Sequence, residues 1–376
     1  MWYLQGDTFI LLAAFSLLAG LLRRLCPNKI YSVVLPLAET AALWYISRRL
    51  CLLYIAYCLM GVVCAQLLRR HPKKLLFLLF SLLALVPFFL SRSAVFGFEL
   101  PFLFVSIGIS FAMLRLIDCY YYVYYTHLDL DPLVFVNYML LLPVFTAGPI
   151  FRYRDFIKTH AEPLPLDAPA LTYCFKRLVR GMFKKVVLAA LAMQVMERLL
   201  GMSSHWYVSL VTVICSYALL YLDLSGYSDI AIAFGRLAGY SVPENFKSPL
   251  ASPSFTQFWR SWHATLSDWI REHVFILLGK RRLNRWISAA ISVCTMVLMS
   301  LWHGFNLPYL MAGLYNGALL ALESLFSLTT VNKRKTPKSI FLLRCLAVNF
   351  LFALNTLVFT VPADRVLGIL RGFFRI

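Results

Sequence analysis

Residues 286–303 read WISAAISVCTMVLMSLWH, and residues 307–328 read LPYLMAGLYNGALLALESLFSL. Each run has about the length that a helix needs to cross a lipid bilayer, which is roughly 20 mostly apolar residues. Only a short turn around His303 and Gly304 separates the two runs. The stretch therefore predicts a hairpin of two membrane helices whose turn carries a histidine.

The rest of the chain has a similar composition. Of its 376 residues, 61% are hydrophobic and 14% are charged, whereas soluble domains have about 25% charged residues. These polar side chains are too few to cover a globule of this size, so lipid must surround most of the surface. We predict an all-α, polytopic membrane protein with about eleven transmembrane helices plus re-entrant or interfacial helices. The predicted spans are residues 9–25, 31–47, 50–68, 75–91, 100–117, 132–150, 183–200, 207–224, 286–303, 307–328 and 339–360.

The net charge of +19 does not indicate a nucleic-acid-binding protein, because the basic residues form short clusters between the apolar runs. Such clusters mark the cytoplasmic side of membrane proteins. From residue 176 onward, this rule places the polar stretch 225–285 in the cytoplasm. In the first half of the chain, the predicted spans and the basic clusters do not give a consistent topology. A segment between residues 100 and 150 that does not cross the membrane would explain this disagreement.

A short amphipathic helix is predicted over Phe255–His273, inside the polar stretch. Ser254 followed by Gln257 fits a capping box at its start. Residues at three- and four-residue spacing would share one helical face. This face consists of Trp259, Trp262, Leu266 and Trp269. We expect such a helix at the bilayer interface or at the mouth of a cavity.

Two histidines are candidates for proton transfer. His303 ends an apolar run, and polar groups at membrane depth tend to face a cavity or a partner. A neutral imidazole, with a pKa near 6.5, can accept the proton that an alcohol loses as it attacks a carbonyl group. His263 is the second candidate. An interfacial position is the alternative for both, and His273 is expected in solvent.

Other polar residues leave two interpretations open. Arg152 and Arg154, in the string GPIFRYRDF, either snorkel to the interface or bind a phosphate or anionic head group. Asp223 and Asp229, in DLSGYSD, fit a capped helix end with a glycine turn better than direct chemistry. The cysteines contain no Cys-x-x-Cys pair, so neither a metal site nor a disulfide framework is predicted.

Several motifs resemble one family when they are taken in order. The strings DLSGYSDIAIAFGRLAGYSVPENF, FWRSWHATLSDW and SLWHGFNLPYLMAGLYNG resemble the membrane-bound O-acyltransferase (MBOAT) family. They are most similar to its bacterial branch of alginate O-acetylase and the teichoic-acid D-alanyl transfer protein. The match covers about residues 105–320. It implies helices around a central tunnel, arranged as N-terminal transmembrane helices (1–104), a catalytic core (105–328) and a C-terminal helix with its tail (329–376).

The resemblance also assigns roles to individual residues. The family's Trp-His-Gly histidine corresponds to His303, which would be the general base, and its second histidine corresponds to His263. Trp262 and Trp302 would shape the tunnel and contact substrate. The other predicted substrate-binding residues are Arg152, Arg154, Asp223 and Asn245.

The implied activity is transfer of a small acyl group, acetyl or D-alanyl, to hydroxyls of an exopolysaccharide, peptidoglycan or teichoic acid. The donor would be a cytoplasmic thioester, acetyl-CoA or an acyl carrier protein, bound as a substrate and not as a tight cofactor. The expected location is the bacterial cytoplasmic membrane. A secreted acyltransferase or a small membrane protein is the expected partner on the outer side.

Two rival functions are a transporter or flippase of a lipid-linked envelope precursor and a scaffold for envelope proteins. A transporter would carry paired charges near the membrane midplane. Arg115 and Asp118 are the only close pair near a predicted span.

Overall fold

The computed structural model describes residues 6–92, 108–202, 205–277 and 284–375. Every regular element in these ranges is helical, which confirms the all-α prediction. The chain forms two compact units. The first, called unit 1, comprises residues 1–178 with 229–243, and the second, unit 2, comprises residues 179–228 with 244–376. The predicted division of the chain at residues 104 and 328 stays a prediction.

The helices of the first half are α1 Gly6–Leu25, α2 Asn28–Ile46, α3 Arg48–Arg70, α4 Lys74–Leu90, α5 Ile109–Thr126, α6 Pro132–Leu140, α7 Tyr153–Ala161 and α8 Ala168–Met182. A π-helical turn, Phe183–Leu188, leads into the next helix. The helices of the second half are α9 Ala189–Leu200, α10 Trp206–Leu237, α11 Phe255–Trp259, α12 Ala264–Leu277, α13 Arg285–His303, α14 Leu307–Leu325, α15 Lys338–Thr360 and α16 Ala363–Gly372.

Four of the described helices, α3, α10, α13 and α15, are long and apolar enough to cross a membrane. Large apolar side chains are exposed along many of the helices, as expected where lipid is the solvent. Over the residues that the structure describes, the chain is therefore a helical membrane protein. The count of about eleven spans and the central tunnel stay predictions.

The predicted span over residues 132–150 is wrong. Helix α6 ends at Leu140, and only a short 3₁₀ turn follows at Leu142–Val144. Pro143 explains the break, because it has no N–H to donate to the carbonyl of Met139 and its ring would clash there. Arg115 instead donates to the carbonyls of Met139, at 3.0 Å, and Val144. The sequence had indicated a segment in this region that does not cross.

The prediction for residues 100–117 falls partly on positions 93–107, which lie outside the described residues. Helix α5 begins at Ile109 and continues to Thr126. Asp118 therefore lies inside this helix, which continues beyond the predicted end of the span at residue 117.

The predicted helix end at DLSGYSD is also wrong, because α10 continues through this string to Leu237. A Cβ atom at Gly226 would lie 2.8 Å from the carbonyl oxygen of Gly181 and 3.1 Å from the Lys185 Cβ. The glycine therefore allows a close approach between α10 and the segment that runs from Gly181 into the π-helical turn, and it does not terminate a helix.

The helical hairpin predicted from the first quoted stretch is confirmed as α13 and α14. Two glycines of α14 sit against the backbone of α13. A Cβ at Gly313 would lie 2.7 Å from the Val297 Cα, and one at Gly317 would lie 2.7 Å from the Val293 Cα. Small residues four positions apart let two helices pack at close range.

Candidate active site

The Trp262-His263 pair lies in a sharp turn and not within a helix. Helix α11 ends at Trp259, α12 begins at Ala264, and His263 has a φ of +44°. The single amphipathic helix predicted over Phe255–His273 is therefore wrong, although the predicted cap is confirmed, since Ser254 Oγ accepts the Gln257 N–H at 3.2 Å. A non-glycine residue in the left-handed region costs free energy and needs local support.

Asn245 provides this support within unit 2. Its backbone carbonyl accepts the N–H of Ala264 at 2.9 Å. Its side-chain Oδ1 accepts the N–H of Thr265 at 3.3 Å and the Thr265 hydroxyl at 2.8 Å. The first N–H groups of a helix have no partner within the helix, so Asn245 caps α12 from outside and fixes the turn that carries His263.

The tryptophan face predicted for the amphipathic helix packs into the core of unit 2. Trp262 stacks on Phe258 with ring centroids 5.6 Å apart and contacts Phe352 at 4.8 Å. Trp262, Leu266 and Trp269 are all buried. The bilayer-interface interpretation of this face is therefore wrong, and its alternative, a face that lines a cavity, is confirmed for Trp259, Trp262 and Leu266.

His303 is the last residue of α13, and an extended Gly304 follows it. Its ring contacts those of Trp302, with centroids 4.8 Å apart, and Phe359, at 5.4 Å. The aromatic contacts from α13 and α15 hold the imidazole at the end of its helix.

The two predicted histidines meet at one cavity of about 60 Å³ within unit 2. Helices α10 to α15 all contribute to its wall. The lining residues are Leu220, Leu224, Trp259, Trp262, His263, Leu266, Met296, Met299, Ser300, His303, Gly313, Asn316, Phe352, Asn355 and Phe359. Two imidazoles at an otherwise mostly apolar cavity form a site that can accept and donate a proton.

Three buried polar atoms of this lining have no hydrogen-bond partner among the described residues, namely Trp259 Nε1, His263 Nδ1 and Asn316 Oδ1. The Asn316 amide nitrogen donates to the Ala312 carbonyl at 2.9 Å, which fixes the orientation of the amide. An unsatisfied buried polar group is costly. A polar group that enters the cavity would satisfy these atoms.

Burial also sets the protonation state of His263. Desolvation of the charged ring lowers the pKa of His263 to about 4, opposed only in part by a backbone hydrogen bond. The imidazole is therefore neutral at pH 7, with one nitrogen able to accept a proton or a hydrogen bond.

The remaining predicted site residues are not among the described residues that line this cavity. Trp302 contacts the ring of His303. Asp223 pairs with the ammonium of Lys185, whose side chain is buried, and Asn245 supports the His263 turn. Each of these three residues therefore contacts other residues of the protein. Their predicted substrate-binding roles stay predictions.

Arg152 and Arg154 belong to unit 1 and differ from each other. Arg152 is buried, and its Nε lies 2.6 Å from Asp118 Oδ1, while the Tyr153 N–H donates to the other carboxylate oxygen at 2.6 Å. Arg154 is exposed and lies 3.7 Å from the carboxylate of Asp155. The snorkelling interpretation of Arg152 is therefore wrong, because its guanidinium neutralises a buried aspartate.

Sequence reasoning missed Asn316 and misplaced His273. Asn316 stands in an apolar helix, where a lone amide is a signal of a cavity or a partner. His273 was expected in solvent but is buried, with its ring stacked on Trp269 at 4.1 Å and its Nδ1 2.8 Å from the Trp269 carbonyl oxygen. Its place one turn after Trp269 was the available signal for that contact.

Fold and site together define a helical membrane protein with a two-histidine cavity. The family model described as MBOAT, membrane-bound O-acyltransferase family, matches residues 125–361, more than half of the chain. The chain therefore belongs to the membrane-bound O-acyltransferase family. This assignment confirms the predicted resemblance to that family.

Curated relatives fall into three groups by name. The chain is 33% identical over 252 residues to a probable alginate O-acetylase AlgI of Pseudomonas putida, covering 64% of this chain and 50% of the relative. It is 26% identical over 200 residues to a teichoic acid D-alanyltransferase of Bacillus subtilis, covering 50% and 51%. It is 32% identical over 212 residues to a peptidoglycan O-acetyltransferase of Helicobacter pylori, covering 54% and 38%. The chain spans about half the length, or less, of these relatives.

Proposed function

We propose that this chain transfers a small acyl group, acetyl or D-alanyl, from a cytoplasmic thioester to hydroxyls of a cell-envelope polymer. Its location would be the bacterial cytoplasmic membrane, which it would cross about eleven times. The residues 105–328 would form the catalytic core, between N-terminal helices and a C-terminal helix. The names of the relatives, which include alginate, peptidoglycan and teichoic-acid enzymes, support an envelope polymer as acceptor.

The observation that carries the proposal is the shared cavity of His263 and His303. The two residues are 40 positions apart in the sequence, and the fold brings both to the same wall. A wall of apolar side chains around two imidazoles is suited to a reaction that must exclude water, because water would hydrolyse the thioester.

In the proposed reaction, the acceptor hydroxyl oxygen attacks the thioester carbonyl carbon while His303 takes the hydroxyl proton. The new C–O ester bond forms, the C–S bond breaks, and the proton passes from His303 to the leaving thiolate to give a free thiol. Neutral His263 and the Asn316 amide would orient the hydroxyl or the carbonyl group. No tightly bound cofactor is required, since the thioester is itself the activated donor.

Other predicted residues would act around this centre. Trp262 would shape the acyl end of the tunnel, and Trp302 would hold the His303 ring. Arg152, Arg154 and Asp223 would contact substrate or the phosphate of a donor. A carrier protein on the cytoplasmic side and a secreted or small membrane protein outside would be the partners.

Substitution of His303 tests the mechanism. General-base catalysis contributes about 10²–10⁴-fold to rate, so His303→Ala should lower acylation of envelope polymers by at least about 100-fold while the protein stays inserted. His263→Ala should also lower acylation of envelope polymers. His205→Ala is the matched control, because its ring stacks on Tyr207 and it does not line the cavity.

The readout is mass spectrometry of envelope polymers from cells that produce each variant. Acetyl and D-alanyl esters differ in mass, so the same measurement identifies the acyl group. Full acylation with His303→Ala would exclude His303 as the base. Movement of a lipid-linked precursor in liposomes without any acyl transfer would favour the flippase instead.

A further inference from the structure

A second cavity of about 200 Å³ lies beside the histidine cavity in unit 2. Its lining is more polar and includes Arg260, Asp268 and Arg271, and the Arg271 guanidinium lies 2.7 Å from the Asp268 carboxylate. Three residues line both cavities, namely Trp259, Met296 and Met299. These three side chains separate one cavity from the other and are called the partition below.

The partition is built by two elements. Met296 and Met299 lie on α13, and both are buried. His303, seven and four positions further along α13, shares their helical face. Trp259 ends α11. The same helix that presents the candidate base therefore also presents the two methionines, one and two turns away along the same face.

The size of the histidine cavity limits what can occupy it. At roughly 15 Å³ for each water-sized group, a volume of 60 Å³ holds about four such groups. An acetyl group has three non-hydrogen atoms and leaves room for the attacking hydroxyl. Each further methylene would have to displace a side chain of the partition.

The chemistry of the lining adds a second limit. The described residues that line the cavity contribute apolar side chains together with amide, hydroxyl and imidazole groups. Burial of an ammonium group is costly unless an opposite charge accompanies it. This lining therefore favours an uncharged acyl group over an aminoacyl group.

We propose that Trp259, Met296 and Met299 determine acyl-group specificity by closing the histidine cavity at the size of an uncharged two-carbon acyl group. The inference rests on the proposed function and narrows its donor to a short, uncharged acyl thioester. Loss of a methionine side chain would join the cavity to its 200 Å³ neighbour and make room for longer acyl chains.

The experiment compares donors of different chain length in one reaction. Inside-out membrane vesicles from cells producing the full chain receive equal concentrations of acetyl-, propionyl- and butyryl-coenzyme A, and a parallel reaction receives a D-alanyl thioester of an acyl carrier protein. Esters on the enclosed envelope polymers are then counted by mass spectrometry. One methylene in an apolar pocket changes selectivity by about 10–200-fold. Wild type should therefore favour acetyl over butyryl at least about tenfold, and Met299→Ala and Met296→Ala should each lower that ratio by about tenfold.

Two further variants keep the result interpretable. Met193→Ala removes a methionine side chain from an exposed position of α9 and should keep the wild-type ratio. Met299→Val removes less volume than Met299→Ala. If Met299→Ala does not fold, Met299→Val and Met296→Ala provide the test instead. Residual acetyl transfer by a variant shows that it is folded.

The outcomes separate the two proposals. Wild type that transfers no acyl group overturns the proposed function and this inference with it. Wild type that transfers acetyl while all partition variants keep its ratio overturns the inference alone. Wild type that transfers butyryl or D-alanyl as readily as acetyl has the same consequence.

Discussion

His160 in unit 1 and His263 in unit 2 are both buried, at 8% and 9% exposure, but their surroundings differ. His160 has a partner at each nitrogen, since Nδ1 lies 3.2 Å from the Tyr240 hydroxyl and Nε2 lies 2.9 Å from the Ser32 hydroxyl. His263 Nδ1 has none within the ranges that the structure describes, and its ring faces a cavity. Burial alone therefore does not distinguish a structural histidine from a candidate catalytic one.

The difference lies in how completely each polar group is satisfied. Buried polar groups in folded proteins nearly always have hydrogen-bond partners. A satisfied histidine stabilises the fold, whereas an unsatisfied one at a cavity costs stability and is available to a ligand. The buried charges of unit 1 follow the same pattern, because Arg152 and Asp118 satisfy each other.

The largest expected effect is on the buried ion pair of unit 1. Asp118→Ala removes the carboxylate that contacts Arg152 and the Tyr153 N–H. Removal of one partner of a buried pair costs about 3–5 kcal/mol, because the other charge stays buried. The free energy of unfolding in detergent should fall by that amount. Arg154→Ala, at a side chain that is 53% exposed, should change the free energy of unfolding by less than about 0.5 kcal/mol. Equal losses in Asp118→Ala and Arg154→Ala would contradict this prediction.

The second prediction compares the same substitution at the two histidines. His160→Leu leaves the Ser32 and Tyr240 hydroxyls without their histidine partner and should cost about 1–3 kcal/mol of unfolding free energy. His263→Leu removes an unsatisfied group, so its unfolding free energy should stay within about 0.5 kcal/mol of wild type, while polymer acylation is lost. Retained acylation in His263→Leu would show that His263 is structural, like His160.

A third, smaller effect concerns pH. Burial lowers the pKa of His160 and of His263 to about 4 from 6.5. A histidine with a lowered folded-state pKa is protonated first in the unfolded chain, so its contribution to stability is complete above pH 6.5 and is lost as the pH falls toward 4. Each of the two leucine variants should reduce the slope of unfolding free energy between pH 4 and 6.5 by about 1.4 kcal/mol per pH unit. An unchanged slope in either variant would contradict burial as the cause.

The last prediction concerns the helix cap at Asn245. Asn245→Ala removes the acceptor of the Thr265 N–H and hydroxyl and should cost about 1 kcal/mol, as the loss of a helix cap does. Because the His263 turn depends on this cap, acylation should fall about tenfold. Asn245→Asp keeps the acceptor oxygen and should recover most of the acylation rate. If the aspartate variant were as inactive as the alanine variant, Asn245 would contact substrate instead of positioning His263.

The sequence by itself was sufficient for the fold class, the α13–α14 hairpin and the choice of His303 and His263. Composition and run length report the solvent that surrounds a helix, and motif order reports the family. The cap at Ser254 was also predictable, because capping depends on residues three positions apart.

Only the tertiary structure decided which polar groups are satisfied. The end of α6 depends on Pro143 and on Arg115, 28 positions earlier in the chain. The break before α12 depends on Asn245, and the continuity of α10 depends on the space beside Gly226. Asn316 became a candidate because its oxygen faces a cavity assembled from six helices. Hydrogen bonds and close contacts between distant segments have no local signature, so periodicity and composition could not predict them.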